Sequence, residues 1–213
     1  MLHLKRHILL SSILAALAID GGNAIRAADP FSTFGNAQIV SGPGRNEYAL
    51  WLVSDLADEE PFAVLEYVPK RLTRFRQLKK LSTRFQIFEG GFGGGSMRFA
   101  IGLDTDGDGI LDGHVSVYLG TPPNFDDPPM GAWEQSGNLI GLPDDELRFD
   151  TSQVGGTFYD SYANARTLVG DAEVLYVDLV VDSGWAFPDG VQSVLVREVR
   201  INGAQFRPRR PRN

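Results

Sequence analysis

Residues 97–119 read MRFAIGLDTDGDGILDGHVSVYL, and their pattern decides the fold. Met97, Phe99, Ile101 and Leu103 fall at every second position, the period of a strand with one buried face. Val115, Val117 and Leu119 repeat that alternation after an interval of Asp and Gly. Two alternating runs joined by turn residues predict an antiparallel hairpin.

Working outward, residues 48–53, 62–68 and 85–88 are short runs rich in aromatic and β-branched side chains, the composition of strands. Residues 174–181 (VLYVDLVV) and 191–201 are the most continuous apolar stretches and read as strands in the middle of a sandwich. Helical signals are few. Residues 160–169 start on Asp160, carry Ala163 and Ala165 and stop at Gly170, which predicts one short helix. A second helical turn is expected at 75–81. Many short strands, no alternation of strand with helix and no fixed repeat predict a mostly β chain: an antiparallel β-sandwich of jelly-roll type with one or two short helices.

The first residues have the layout of an export signal. Lys5 and Arg6 precede an apolar run at 8–19, and small residues follow at 21–24 and 27–28. The run is too short to span a bilayer, so no transmembrane segment is expected after cleavage. The expected organisation is a signal peptide at 1–27, a single β-sandwich domain at 28–205 and a disordered Arg/Pro tail at 206–213 (FRPRRPRN), with the protein secreted, periplasmic or on the cell surface. Net charge is −7, which argues against nucleic acid as a partner. There is no cysteine, so disulfides, thiol nucleophiles and Cys-ligated zinc are excluded. An exported chain without cysteine depends on core burial and, in this reading, on a bound ion.

The interval in the hairpin places Asp104, Asp106, Asp108 and Asp112 at relative positions 1, 3, 5 and 9, with Gly109 at position 6. A hard cation needs many oxygens at about 2.3–2.6 Å, and alternate residues of a tight loop supply them. Structural calcium is therefore the expected cofactor, ligated by Asp104, Asp106, Asp108, Asp112 and the carbonyl of Ile110. The spacing resembles the loops of EF-hands, dockerins and thrombospondin type 3 repeats over about nine residues, and the resemblance implies ion binding only. Position 12, where an EF-hand has Glu, is Val115, and the flanks are strands. The competing reading is a soluble Asp/Gly turn that binds nothing.

Other chemistry is sparse. EGGFGGGS at 89–96 lacks the Gly-Lys-Ser/Thr of a phosphate cradle and reads as a loop. After cleavage His114 is the one histidine left, too little for a triad or a His-ligated metal. Paired carboxylates remain a route to glycoside hydrolysis, with Glu89, Asp126, Asp127, Asp144, Asp145 and Glu146 as candidates, although each lies in a turn-like stretch. Trp51 and Trp185 read as core, whereas Trp133, in the Pro/Gly-rich segment 121–138, and Phe125 are the candidate ligand-binding residues, because an aromatic face packs on sugar C–H groups. Lys70, Arg71, Arg74, Arg76, Lys79, Lys80 and Arg84 form a basic run against an acidic remainder, either a solvated edge or a contact with acidic polysaccharide, lipopolysaccharide or another chain.

The pieces GGGS (93–96), 104–112, VYLG (117–120), GTFYD (156–160) and DSGWAFPDG (182–190) together resemble the uncharacterised secreted β-sandwich domains of bacterial surfaces. The likeness spans most of 85–202 and implies an architecture without an activity. The expectation is thus a non-catalytic extracellular binding or structural module stabilised by calcium, with glycan as its candidate partner. The alternative is a small secreted glycoside hydrolase using paired carboxylates.

Overall fold

The computed structural model describes residues 30–42 and 47–210; the expected export segment lies outside them. Among the described residues twelve strands form two antiparallel sheets. The first contains β1 (Phe31–Gly35), β4 (Ala63–Tyr67), β10 (Glu173–Val181), β6 (Arg98–Asp104), β7 (Gly113–Tyr118) and β9 (Phe149–Asp150), in that spatial order. The second runs β2 (Ala37–Ser41), β3 (Tyr48–Asp55), β11 (Val191–Ile201), β5 (Leu81–Glu89) and β8 (Glu134–Gln135), with β12 (Ala204–Phe206) also paired to β11. α1 (Tyr162–Val169) and short 3-10 turns complete the described chain.

With β1, β2, β9 and β12 set aside, the spatial orders reduce to β4-β10-β6-β7 and β3-β11-β5-β8. The chain visits the sheets alternately in the order β3, β4, β5 and β6, crosses back after the β6–β7 hairpin to β8, and ends with β10 and β11. That interleaving is the jelly roll expected from the sequence. Both of the most apolar runs take central positions, β10 in one sheet and β11 in the other, because a central strand is shielded on both edges.

Alternation decides which side chains enter the core. Leu50 and Leu52 of β3, Phe85 and Ile87 of β5, and Val194 and Val196 of β11 face Leu65, Phe99, Ile101, Val115, Val117, Val177 and Leu179 of the first sheet, all buried. Ser161 caps α1 by accepting the Asn164 amide at 3.2 Å, so the helix starts one residue beyond the expected Asp160 cap. Ala165 and Val169 of α1 join the same core as Phe75, which closes one end of the sandwich. None of the described helices is long and apolar enough to cross a membrane.

Three expectations need correction. Phe206 ends β12 and is 3% exposed, packing beside Phe31, so the body extends one residue into the expected tail. Trp51 is not core: β3 turns Leu50 and Leu52 inward, which sends Trp51 to the outer face, where its indole N–H donates to Ser193 Oγ at 2.6 Å. Trp185 is 64% exposed, its 3-10 turn lying outside the layers.

Candidate functional site

The Asp/Gly interval forms the tip of the β6–β7 hairpin. Asp104 is buried at its base, and its two carboxylate oxygens accept the amides of Gly107 at 2.6 Å and Gly109 at 2.8 Å. Gly107 and Gly109 take φ of +86° and +83°, a left-handed bend that glycine adopts without strain. Asp106 accepts the Asp108 amide at 3.1 Å and Asp108 accepts the Ile110 amide at 2.8 Å, so each carboxylate fixes the turn after it.

One carboxylate oxygen from each of Asp104, Asp106 and Asp108 lies within 4.8 Å of the others. Oxygens around one calcium ion at about 2.5 Å are at most about 5 Å apart, so this spacing fits a single coordination sphere. Each Asp104 oxygen spends one lone pair on an amide and keeps another. The fourth carboxylate sits apart from that trio: Asp112 accepts the Thr105 amide and hydroxyl, both at 2.6 Å, and ties the loop's ends together. Hydrogen bonds from Gly109 and Gly107 hold the Asp104 carboxyl below the usual carboxylate range, and those from Thr105 do the same for Asp112. Ile110 presents its side chain to solvent, and Val115 faces the core, where it cannot ligate.

Beside the loop, His114 has a defined structural role. Its Nε2 lies 2.6 Å from the Tyr176 hydroxyl and its Nδ1 3.2 Å from Gln153 Oε1. A neutral ring protonated at Nδ1 satisfies both, and burial lowers its pKa. A cleft of about 300 Å3 lined by Leu111, Asp112, Gly113, His114 and Gln153 adjoins it, whereas the larger cleft, about 410 Å3, lies at α1 beside Asp160 and Asn164.

The carboxylates expected for hydrolysis are either bonded within the fold or exposed. Asp127 accepts the Phe92 amide at 2.5 Å and Glu146 pairs with Arg148 at 2.8 Å. Glu89, Asp126, Asp144 and Asp145 are exposed. A different pair is brought together instead. Glu66 of β4 lies directly opposite Asp178 of β10 on the outer face of the first sheet. Asp178 is 2% exposed, and its Oδ1 has no hydrogen-bond partner among the described residues. Burial raises both carboxyls; that of Asp178 is pushed up to about 8, with Glu66 adding to the shift and Arg98 opposing it. Arg98 itself is held by Asp182 through two bonds of 2.7 Å. The sequence signal for this pair was Asp178 itself, one acid inside an apolar strand.

The candidate ligand-binding residues are separated. Phe125 packs edge-on against Tyr118 at 5.3 Å and is partly buried against the core. Trp133 lies over the outer face of the second sheet, half-buried, with the Arg197 guanidinium 4.3 Å and that of Arg84 5.6 Å from its ring centre. The neighbouring row of that face runs Gln38, Trp51, Leu195 and Gln86 across β2, β3, β11 and β5. A bulge in β11 explains the arginine: Val196 opposes Phe85 and Glu198 opposes Arg84, so Arg197 is the extra residue and turns outward.

No protein-family model matches the chain, and no curated protein matches it. Among solved structures, one of an exo-beta-agarase is similar over 88% of this chain and 25% of that one, at 15% identity and a TM-score of 0.41. The chain thus spans about a quarter of that protein's length, and a likeness this distant says nothing about what this chain binds or does.

Proposed function

We propose that this chain is a non-catalytic extracellular β-sandwich module that contacts glycan through the outer face of its second sheet and is stabilised by calcium in the β6–β7 loop. The observation that carries the reading is the outward placement of Trp51, in a row with the amides of Gln38 and Gln86, on the same sheet face that Trp133 overlies through Arg84 and Arg197. Indoles offer C–H-complementary faces, and side-chain amides pair with hydroxyls in either sense. Calcium is supported by the convergence of Asp104, Asp106 and Asp108, whose mutual repulsion a cation would relieve.

A glycan array probed with the protein, followed by thermal melts with calcium and with chelator, tests both parts. Binding that is lost in Trp51→Ala and a calcium-dependent rise in midpoint are expected. An array without hits removes the glycan reading, and coincident melts remove the ion.

The hydrolase reading now rests on Glu66 and Asp178, a directly opposed pair in which one carboxyl stays protonated at neutral pH. Against it stands access, since Asp178 is closed to solvent and a general acid must touch its substrate. Release of reducing sugar that vanishes in Asp178→Asn would replace the binding reading with this one.

A further inference from the structure

We infer that the glycan contacted by the second sheet is anionic, a polysaccharide bearing carboxylate or sulfate groups; this rests on the glycan reading above. The face around Trp133 is built of guanidinium groups drawn from distant parts of the chain. Arg84 comes from β5, Arg197 and Arg200 from β11, and Arg207 follows β12. The β11 bulge aims Arg197 and Glu198 to the same side, and Arg200 pairs in register with Ser82 and with Gln205.

These four cations meet two carboxylates. Arg197 bonds Glu47 at 2.7 Å, while Glu198 is shared by Arg200 and by Arg207, the latter at 3.8 Å. Arg84 is exposed and has no carboxylate partner among the described residues; its contact is the Trp133 ring. Asn202 ties the backbone at Lys79 and Lys80 to the turn between β11 and β12, its side chain accepting their amides at 2.7 Å and 3.3 Å. Of the basic run it is the end at 79–84 that borders this face, because Arg74 and Arg76 instead bond Asp171 beside β10, and the net charge of the whole chain is −7.

The chemistry of Trp133 follows from the same contacts. With Arg197 at 4.3 Å the indole is capped, so it serves less as a bare stacking surface than as a support for planar guanidinium groups. Arg197 spends part of its N–H edge on Glu47, whereas Arg84 at the same ring meets no carboxylate among the described residues, and a guanidinium edge matches carboxylate and sulfate oxygens two at a time. A neutral sugar would leave this charge unanswered; an acidic one pairs with it while its ring reaches the Trp51 row.

The test is affinity of the full chain for dextran, polygalacturonate and dextran sulfate, measured by calorimetry at low and high salt. Polygalacturonate or dextran sulfate should bind, about tenfold more weakly at 300 mM than at 50 mM sodium chloride. Arg84→Gln with Arg200→Gln should weaken that binding about tenfold with an unchanged melting midpoint, while Arg166→Gln on α1 should not. The uronate and sulfate arms separate the two anion sources. Dextran bound as tightly as the anionic chains would overturn the inference and leave the glycan reading standing; no binding to any of the three would overturn both. Duplex DNA held as tightly as the acidic polysaccharides, or an equal loss in Arg166→Gln, would reduce the face to general polyanion attraction and overturn the saccharide class.

Discussion

Asp178 occupies a position that apolar side chains fill on either side of it, and its burial favours the protonated form. Its neighbours explain why. Glu66 stands opposite from β4, Ala100 opposite from β6, Tyr176 lies two residues back on β10, and the Arg98 guanidinium is committed to Asp182. Burial first and the Glu66 charge second lift its pKa to about 8, against an ordinary carboxyl near about 4. A folded value above the unfolded one means that the folded state holds the proton longer. The resulting stability is full below about pH 4, shrinks as pH rises and is lost beyond about pH 8. Asp104 and Asp112 run the other way: their lowered values give stability that is present above the unfolded carboxyl pKa and lost as pH falls through the folded ones. Asp178→Asn removes the titration and keeps the shape. Its melting midpoint should exceed that of the parent by several degrees at pH 9, by less at pH 5, and match it only below about pH 4. Parallel curves from pH 5 to 9 would mean that Asp178 takes up no proton on folding.

At the scale of elements, the hairpin loop divides into two functions that its Asp spacing alone does not distinguish. One oxygen from each of Asp104, Asp106 and Asp108 lies within 4.8 Å of the others, whereas Oδ2 of Asp112 takes both hydrogen bonds from Thr105. Asp106→Asn should therefore abolish the calcium-dependent rise in midpoint and leave the chelated protein nearly unchanged. Asp112→Asn should lower the midpoint by about 2–4 °C in chelator and keep most of the calcium response. Loss of the calcium response in Asp112→Asn alone would place Asp112 among the ligands instead. The long strands β3, β5, β6, β7, β10 and β11 were legible because each alternates or is continuously apolar over at least five residues. The two-residue β8 and β9 were not, because a period cannot be read from Glu134–Gln135 or Phe149–Asp150. Trp51 and Trp185 were misread for a related reason: whether an indole is covered depends on strand phase and on where a turn sits relative to the layers. Trp51 follows the phase set by Leu50 and Leu52, and Trp133 is capped by an arginine that a bulge turned outward. Glu66 and Asp178 face one another through strand pairing across more than a hundred residues, which no local pattern carries.

At the scale of the whole molecule, a sandwich has open sides, and this one closes a side with the first and last of its described strands. β1 lies at the edge of the first sheet and β12 is paired to β11 of the second. Between the layers the Phe31 ring stands 5.2 Å from Tyr67 and 5.6 Å from Phe206, and both phenylalanines are buried. Sheets packed face to face lie about 10 Å apart, a gap that two tilted rings fill. Phe206 therefore belongs to the core even though the segment that follows it is an Arg/Pro stretch with the composition of a tail. Residues 207–210 add one exposed ion pair, Arg207 with Glu198 at 3.8 Å, and pairs of that kind contribute little. The two sides of Phe206 should respond differently to removal. Phe206→Ala should cost about 3 kcal/mol, seen as an earlier denaturant midpoint, because a buried ring is replaced by a cavity between the sheets. Truncation after Phe206 should leave the midpoint within about 1 °C of the parent in a thermal melt, whereas truncation after Gly203 should cost at least as much as Phe206→Ala, since it removes the β12 pairing as well. If Phe206→Ala unfolds at the same denaturant concentration as the parent, β12 is an appendage and the side of the sandwich is closed by the β1–β4 pairing alone.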